Sequence, residues 1–271
     1  MTGYSPGDRP PVKGLDPRPG SPETLFISDL HLSAERPAAI ALFLDFLAER
    51  AARASRLYIL GDLFDVWIGD DDDTPPYPEI RAALGRLTRG GTACGLMRGN
   101  RDLLLGRAFC RETGCDLLRD LTLTEFDGVK TLLMHGDLLC TDDVDYLRFR
   151  RWVRNPLVMR LFLWRSLASR RAIADDYRRK SRTAKAGKSS QIMDANPVAV
   201  AGYLARFGAT RLIHGHTHRP ADHALALGET SGQRLVLAEW TDTGGEVLTH
   251  RDGTWQREAV RPLPDQPRSA G

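Results

Sequence analysis

Six short apolar runs, most of them closing on polar residues, set the rhythm of this chain: TLFISDLHL (24–32), RLYILGDLFD (56–65), TACGLMRGNRD (92–102), KTLLMHGDLL (130–139), RLIHGHTH (211–218) and RLVLAEW (234–240). Their length and their Leu, Ile and Val content predict strands. Between many of them apolar positions recur at helical spacing, over 37–54, 78–89 and 196–207, the last with Asn196 as N-cap and Pro197 at the first helical position. Strands alternating with helices predict an α/β layered fold, in which polar residues just past the strand ends build the site. One stretch breaks the alternation: residues 142–190 read as helix, with two apolar faces (LVMRLFLW, then SLASRRAIADDY).

Composition adds limits. A chain of 271 residues has room for one α/β domain with an inserted cap. With 42% hydrophobic and 27% charged residues it reads as soluble and globular. The net charge of +3 is unremarkable, but its distribution is not. Arg148, Arg150, Arg151, Arg154, Arg160, Arg165, Arg170, Arg171, Arg178 and Arg179 crowd the helical stretch, with Asp145, Asp175 and Asp176 nearly alone against them. So few acids nearby predict attraction to anionic lipid headgroups. No aromatic stacking platform accompanies these arginines, which argues against nucleic acid.

Residues 1–21 are rich in Pro and Gly and are expected to form a disordered extension, with the domain over 22–260 and a flexible tail over 261–271. The N-terminus has no long apolar run, so neither a signal peptide nor a spanning helix is expected there. Cys94, Cys110, Cys115 and Cys140 form no CxxC pair and are expected to be free thiols in a reducing cytoplasm.

The chemistry sits at the ends of the runs. Hydrolysing a phosphate ester or anhydride requires neutralised phosphoryl oxygens, a nucleophile generated at neutral pH and in-line attack, all of which two adjacent divalent ions supply. Such a site needs carboxylate, imidazole and amide ligands from several strand ends. The chain offers them in order: Asp29-x-His31, whose period-two spacing predicts one strand face; Gly61-Asp62; Gly99-Asn100-Arg101-Asp102; His135-Gly136-Asp137; and Gly215-His216-x-His218. Each piece alone is weak, but five in one order, each after an apolar run, point to a metal centre. His214 alternates with His216 yet reads as structural, and Asp65, Asp102 and Asp137 read as orienting neighbours. Gly187-Lys188-Ser189 ends like a phosphate-binding loop, but Arg182 stands where that motif needs glycine.

The pattern DxH, GD, GN[HR]D, H, GHxH resembles the calcineurin-like metallophosphoesterases over roughly residues 24–240. The resemblance implies an αββα sandwich with a helical cap inserted at about 142–190, between the fourth and fifth motifs. It implies one metal on Asp29, His31, Asp62 and His218, a second on Asp62, Asn100, His135 and His216, and Asp62 as the bridge. Many members carry histidine where this chain has Arg101, which stays protonated and is a poor general acid; that favours a leaving group already good, such as a phosphate.

ISDLHLS, YILGDLFDVWIGDDD, RGNRDLLLG, MHGDLLCTDD, SSQIMDAN and IHGHTHRP are similar to the branch that hydrolyses UDP-2,3-diacylglucosamine in lipid A biosynthesis. That branch implies a manganese-dependent enzyme, peripheral on the cytoplasmic face of the inner membrane. Water would attack the α-phosphorus, giving UMP and 2,3-diacylglucosamine 1-phosphate. Asp62, Asn100, Arg101 and His216 would be catalytic, and Asn100, Arg101, Asp143, Ser181, Lys185, Lys188 and His216 would contact substrate. Lys185 stands where better-known members have a small polar residue. Leu157, Val158, Met159, Leu161, Phe162, Leu163, Trp164 and Leu167 would line the acyl groove. The alternative is a soluble phosphodiesterase or nucleotide pyrophosphatase of the same superfamily.

Overall fold

The central strands are apolar on both faces because each face meets a different layer, and this is why they read as continuous runs. The computed structural model describes residues 23–186 and 194–262, with only the backbone given for 180–186. In chain order the elements are β1 (Thr24–Ile27), α1 (Pro37–Asp45), β2 (Arg56–Leu60), α2 (Tyr77–Arg89), β3 (Ala93–Met97), α3 (Arg107–Thr113), β4 (Asp116–Leu118), β5 (Thr122–Phe126) and β6 (Val129–Leu133). Then come α4 (Val144–Val153), α5 (Pro156–Leu163), α6 (Leu167–Ala186), α7 (Pro197–Phe207), β7 (Arg211–His214), β8 (Ala221–Leu227), β9 (Thr230–Val236), β10 (Gly245–Arg251) and β11 (Thr254–Val260).

Two sheets result, ordered β11-β10-β1-β2-β3-β4 and β5-β6-β7-β9-β8. Strands β1 to β4 run parallel, as do β6, β7 and β9. Phe26, Tyr58, Leu60, Met97, Leu133 and Ile213 fill the space between the sheets. The alternate residues Leu25, Ile27, Leu57, Ile59 and Leu96 pack outward with Phe43, Leu84 and Phe109 of α1, α2 and α3. On the far side Leu132 and Leu212 meet Val200 and Leu204 of α7. The expected four-layer αββα sandwich is the fold observed.

Several expectations need correction. The strands end earlier than the apolar runs, β1 at Ile27 and β2 at Leu60, because the polar ends turn out of the sheet. The helix expected over 37–54 is α-helical only to Asp45 and continues as a π-turn and a short 3₁₀ turn. Within 142–186 the chain forms three helices, broken near Asn155-Pro156, where Asn155 caps a new start with Pro156 at its first position, and near Ser166. Strands β5, β8, β10 and β11, which join the sheets by antiparallel pairing, escaped the reading because they carry no continuous apolar run. The N-cap at Asn196 is as expected: its side chain accepts from Val198 N at 2.9 Å. The expected tails at 1–21 and from 263 on lie outside the described residues, as does Lys188.

Candidate metal centre

Six of the seven expected ligands lie in turns just past parallel strands β1, β2, β6 and β7, with Asn100 following β3. Five of these residues adopt left-handed backbone: Asp29 (φ 55°), His31 (50°), Asp62 (52°), His216 (68°) and His218 (53°). Non-glycine residues rarely occupy that region, and such outliers gather where a site is held in a set geometry. Asp29 and His31 therefore do not share a strand face, contrary to expectation; each is turned inward individually. Backbone bonds lock the turns together: Asp29 N to Gly61 O (3.1 Å), His31 N to Asp62 O (3.0 Å) and Gly215 N to His135 O (2.8 Å). Two glycines admit the close approach. A Cβ at Gly61 (φ 95°) would lie 2.5 Å from His135 Nδ1, and one at Gly99 would lie 2.1 Å from Asp62 Oδ1.

The ligand atoms fall into two sets. Asp29, His31 and His218 form one, Asp62, His135 and His216 the other, each with its candidate atoms within 4.8 Å of one another. Asn100 Oδ1 joins the second set, 3.1 Å from His135 Nε2. Asp62 Oδ2 lies 3.9 Å from His31 Nε2 and 3.7 Å from His135 Nε2, between the two sets, while Asp62 Oδ1 accepts from Arg101 N at 2.8 Å. His135 donates from Nδ1 to Leu60 O (2.9 Å), which leaves Nε2 as the ligating lone pair.

Three observations fit divalent cations. Asp29 Oδ2 accepts from Ser28 Oγ (2.6 Å) and His216 N (2.8 Å), but its buried Oδ1 has no hydrogen-bond partner. Burial works to lower the basicity of His135, yet the carboxylates of Asp62, Asp29 and Asp137 raise it to about 9. His218 is likewise opposed by burial but raised to about 9 by the carboxylates of Asp29 and Glu239. The carboxylates crowded around these two histidines favour added positive charge, which a bound cation would supply. His216, by contrast, is pushed down to about 4, chiefly by burial and then by His135.

The expected orienting acids all touch the floor. Asp102 accepts from Gly99 N (2.7 Å) and Leu63 N (2.8 Å), and burial, then Asp62, raises it to about 7. Asp137 accepts from Tyr146 Oη (2.7 Å) and Arg150 Nε (2.6 Å), and the Tyr146 ring lies over His216. Asp65 joins Arg101 to Arg178 of α6. His214 is buried outside both sets and donates from Nδ1 to Gly215 O (2.8 Å); burial drives it down to about 3.

Two clefts open above the floor. A polar one of about 300 Å³ is lined by His31, Asp62, Asn100, His216, His218 and Glu239, among others. An apolar one of about 220 Å³ lies between the floor and the cap, against Trp67, Leu104, Phe149, Val158, Phe162 and Tyr177. Asp65, Asn100 and Arg101 line both. The apolar helix α5 is two-faced: Val158, Met159 and Phe162 line the cleft, whereas Leu157, Leu161, Leu163 and Trp164 face outward. Only part of the apolar set expected at the groove is there. Asp143 lines neither cleft; it caps α4, accepting from Tyr146 N at 3.1 Å. The side chains of Ser181 and Lys185, like all of Lys188, lie outside the described residues.

The expectation that the cap arginines lack acids is corrected, because their partners come from elsewhere in the chain. Arg150 and Arg154 pair with Asp120 and Asp137, Arg170 with Asp71, Arg171 with Asp72 and Arg178 with Asp65. Sequence reading also missed Glu239, Arg36 and Tyr146. No motif marks them: Arg36 precedes α1, Tyr146 lies on α4 and Glu239 follows β9.

The family model of the calcineurin-like phosphoesterases matches residues 23–220. The chain is 48% identical over 229 residues to a UDP-2,3-diacylglucosamine hydrolase of Yersinia enterocolitica, covering 84% of this chain and 95% of that one. It is 48% identical over 239 residues to a protein of the same name from Pseudomonas paraeruginosa, covering 88% and 99%. Among solved structures, an archaeal phosphodiesterase aligns over 88% of this chain and 99% of its own at a TM-score of 0.45 and 10% identity.

Proposed function

The chain belongs to the calcineurin-like phosphoesterase family, and from that premise we propose that it hydrolyses the pyrophosphate bond of UDP-2,3-diacylglucosamine to UMP and 2,3-diacylglucosamine 1-phosphate. The observation that carries this reading is the wall of Asp65, Asn100 and Arg101 common to a polar and an apolar cleft. A substrate with a charged diphosphate at one end and acyl chains at the other fits that pairing; a wholly water-soluble diester leaves the apolar half empty.

Divalent ions, when bound, neutralise phosphoryl charge and generate the nucleophile. Asp29, His31, Asp62 and His218 would hold one, and Asp62, Asn100, His135 and His216 the other. The mixed oxygen and imidazole donors suit manganese. The chain's own contribution is placement. Arg101, with its cationic guanidinium, sits at the junction of the clefts and would neutralise phosphoryl oxygens there. Asn100 and His216 stand in the polar cleft beside it. The departing group is a phosphate, so no proton need be donated to it. Asp143, Ser181, Lys185 and Lys188 complete the substrate contacts by resemblance to the family branch.

Among the described residues no helix is long and apolar enough to cross a membrane. The lipid substrate is reached instead from a surface. Trp164 (77% exposed), Leu157 (68%), Trp152 (60%) and Leu161 (59%) share the cap with the exposed Arg151, Arg160 and Arg165, a combination that docks on an anionic bilayer.

The test is product analysis in ¹⁸O-labelled water with manganese, comparing UDP-2,3-diacylglucosamine with water-soluble UDP-sugars and a chromogenic phosphodiester. The expected result is preferential turnover of the acylated substrate with label in UMP. Equal turnover of the soluble compounds would overturn the lipid assignment, and label in the lipid phosphate would overturn attack at the α-phosphorus.

A further inference from the structure

The two ligand sets anchor their histidines differently. In His218 the Nε2 atom faces the first set, 3.4 Å from both Asp29 Oδ1 and His31 Nε2. Its other nitrogen, Nδ1, lies 2.8 Å from a carboxylate oxygen of Glu239. His135, in the second set, is anchored instead by the neutral carbonyl of Leu60. An imidazole whose outer N–H is held by a carboxylate has its tautomer and ring plane set and its ligating nitrogen made more basic.

Glu239 is no loose surface acid, because its loop is fastened to the first set's own turn. Leu237 N donates to His214 O (2.7 Å) and Trp240 N to Asp29 O (3.1 Å). The Arg36 guanidinium spans both sides, donating to Trp240 O (2.8 Å), Leu30 O (2.9 Å) and Asp242 (3.0 Å). Fully buried Trp240, beside Glu239 in sequence, packs edge-on against Phe43 and Phe46. The carboxylate is thus carried on a backbone that cannot drift from His218 without breaking contacts to the Asp29–His31 turn.

We propose that Glu239 is a positioning residue for His218 and sets the affinity of the Asp29–His31–His218 site without acting on the other. This rests on the metal assignment above. It makes the two cation sites unequal, one having a histidine held by a carboxylate and the other a histidine held by a carbonyl.

The test is calorimetric titration of the apo protein with Mn²⁺ alone, in wild type, Glu239→Ala, Glu239→Gln and Glu239→Asp, with His135→Ala marking the second site. The expected result is two wild-type sites, of which Glu239→Ala and Glu239→Gln each weaken one by about 10–100-fold. The site that His135→Ala removes keeps its affinity, and Glu239→Asp recovers part of the loss. Apo melting temperatures stay close to wild type, which separates positioning from folding. Unchanged affinities in Glu239→Ala, or equal loss at both sites, would overturn the proposal while leaving the metal assignment standing. A wild-type protein that binds fewer than two Mn²⁺ ions would overturn both.

Discussion

The floor and the cap are built on opposite plans. The floor is nearly dry: Asp29, Asp62, His135, Asp102 and Asp137 are buried, and its turns are cross-bonded through backbone amides. Helices α4 and α5 of the cap bury no residue, and the cap's arginines attach it to acids of the sandwich. Rigid placement of charged ligands requires over-determined backbone, whereas acyl chains need only an apolar surface that adapts. Buried, cross-bonded backbone is concentrated at the floor, and exposed apolar surface at the cap.

The strongest way to break this comparison is His135→Ala. Initial rates on the acylated substrate should fall by about 10³-fold or more, since several kcal/mol of charge stabilisation is lost with the ligand. Circular dichroism should show the sandwich and cap intact. Activity near wild type would mean that chemistry does not reside in the floor. A smaller effect is expected from Leu161→Asp with Trp164→Asp on the outer face of α5. Vesicle sedimentation should show binding to anionic bilayers reduced by about 10–100-fold, in proportion to the burial of one or two large side chains. Hydrolysis of detergent-dispersed substrate should change less than about twofold. A parallel collapse of hydrolysis would make the outer face part of the site.

The smallest effect sharpens how the cap is held. Asp71→Asn weakens its bidentate acceptance from Arg170; with Asp71 largely exposed, the loss should be below about 1 kcal/mol. Hydrogen exchange in α6 should report it as faster opening. The hydrogen bond from Arg170 holds the Asp71 carboxyl below its usual range, with burial working against it. A depressed carboxyl contributes stability that is full above its unfolded pKa of about 3.9 and lost as pH falls through the lower folded value. Wild-type α6 should therefore keep this increment from neutral pH down to about 5 and lose it below about 4, and the variant should lack that step.

Much of the floor was legible because its ligands follow runs that are apolar on both faces, such as Phe26 and Ile27 before Asp29 or Leu212 and Ile213 before His216. The αββα layering was legible for the same reason. Backbone conformation at the ligands was not: nothing in Asp-x-His distinguishes a strand face from a left-handed turn. The pairing of the cap was also hidden, since Arg170–Asp71 and Arg178–Asp65 join residues about a hundred positions apart. Glu239 stands after a strand with no motif around it, and only the loop closure by Trp240 and Arg36 brings it to His218.

Asp65 touches Arg101, at the phosphate end, and Arg178, on the helix that roofs the apolar end. One carboxylate thus stands between the two compartments. Were a filled acyl cleft to bias Asp65, thermodynamic linkage would make the effect reciprocal: the factor by which a lipid tail changed affinity for the nucleotide end would equal the factor by which the nucleotide changed affinity for the tail. The two halves of the proposed substrate would then not bind as independent anchors, because one carboxylate pairs with an arginine at each end.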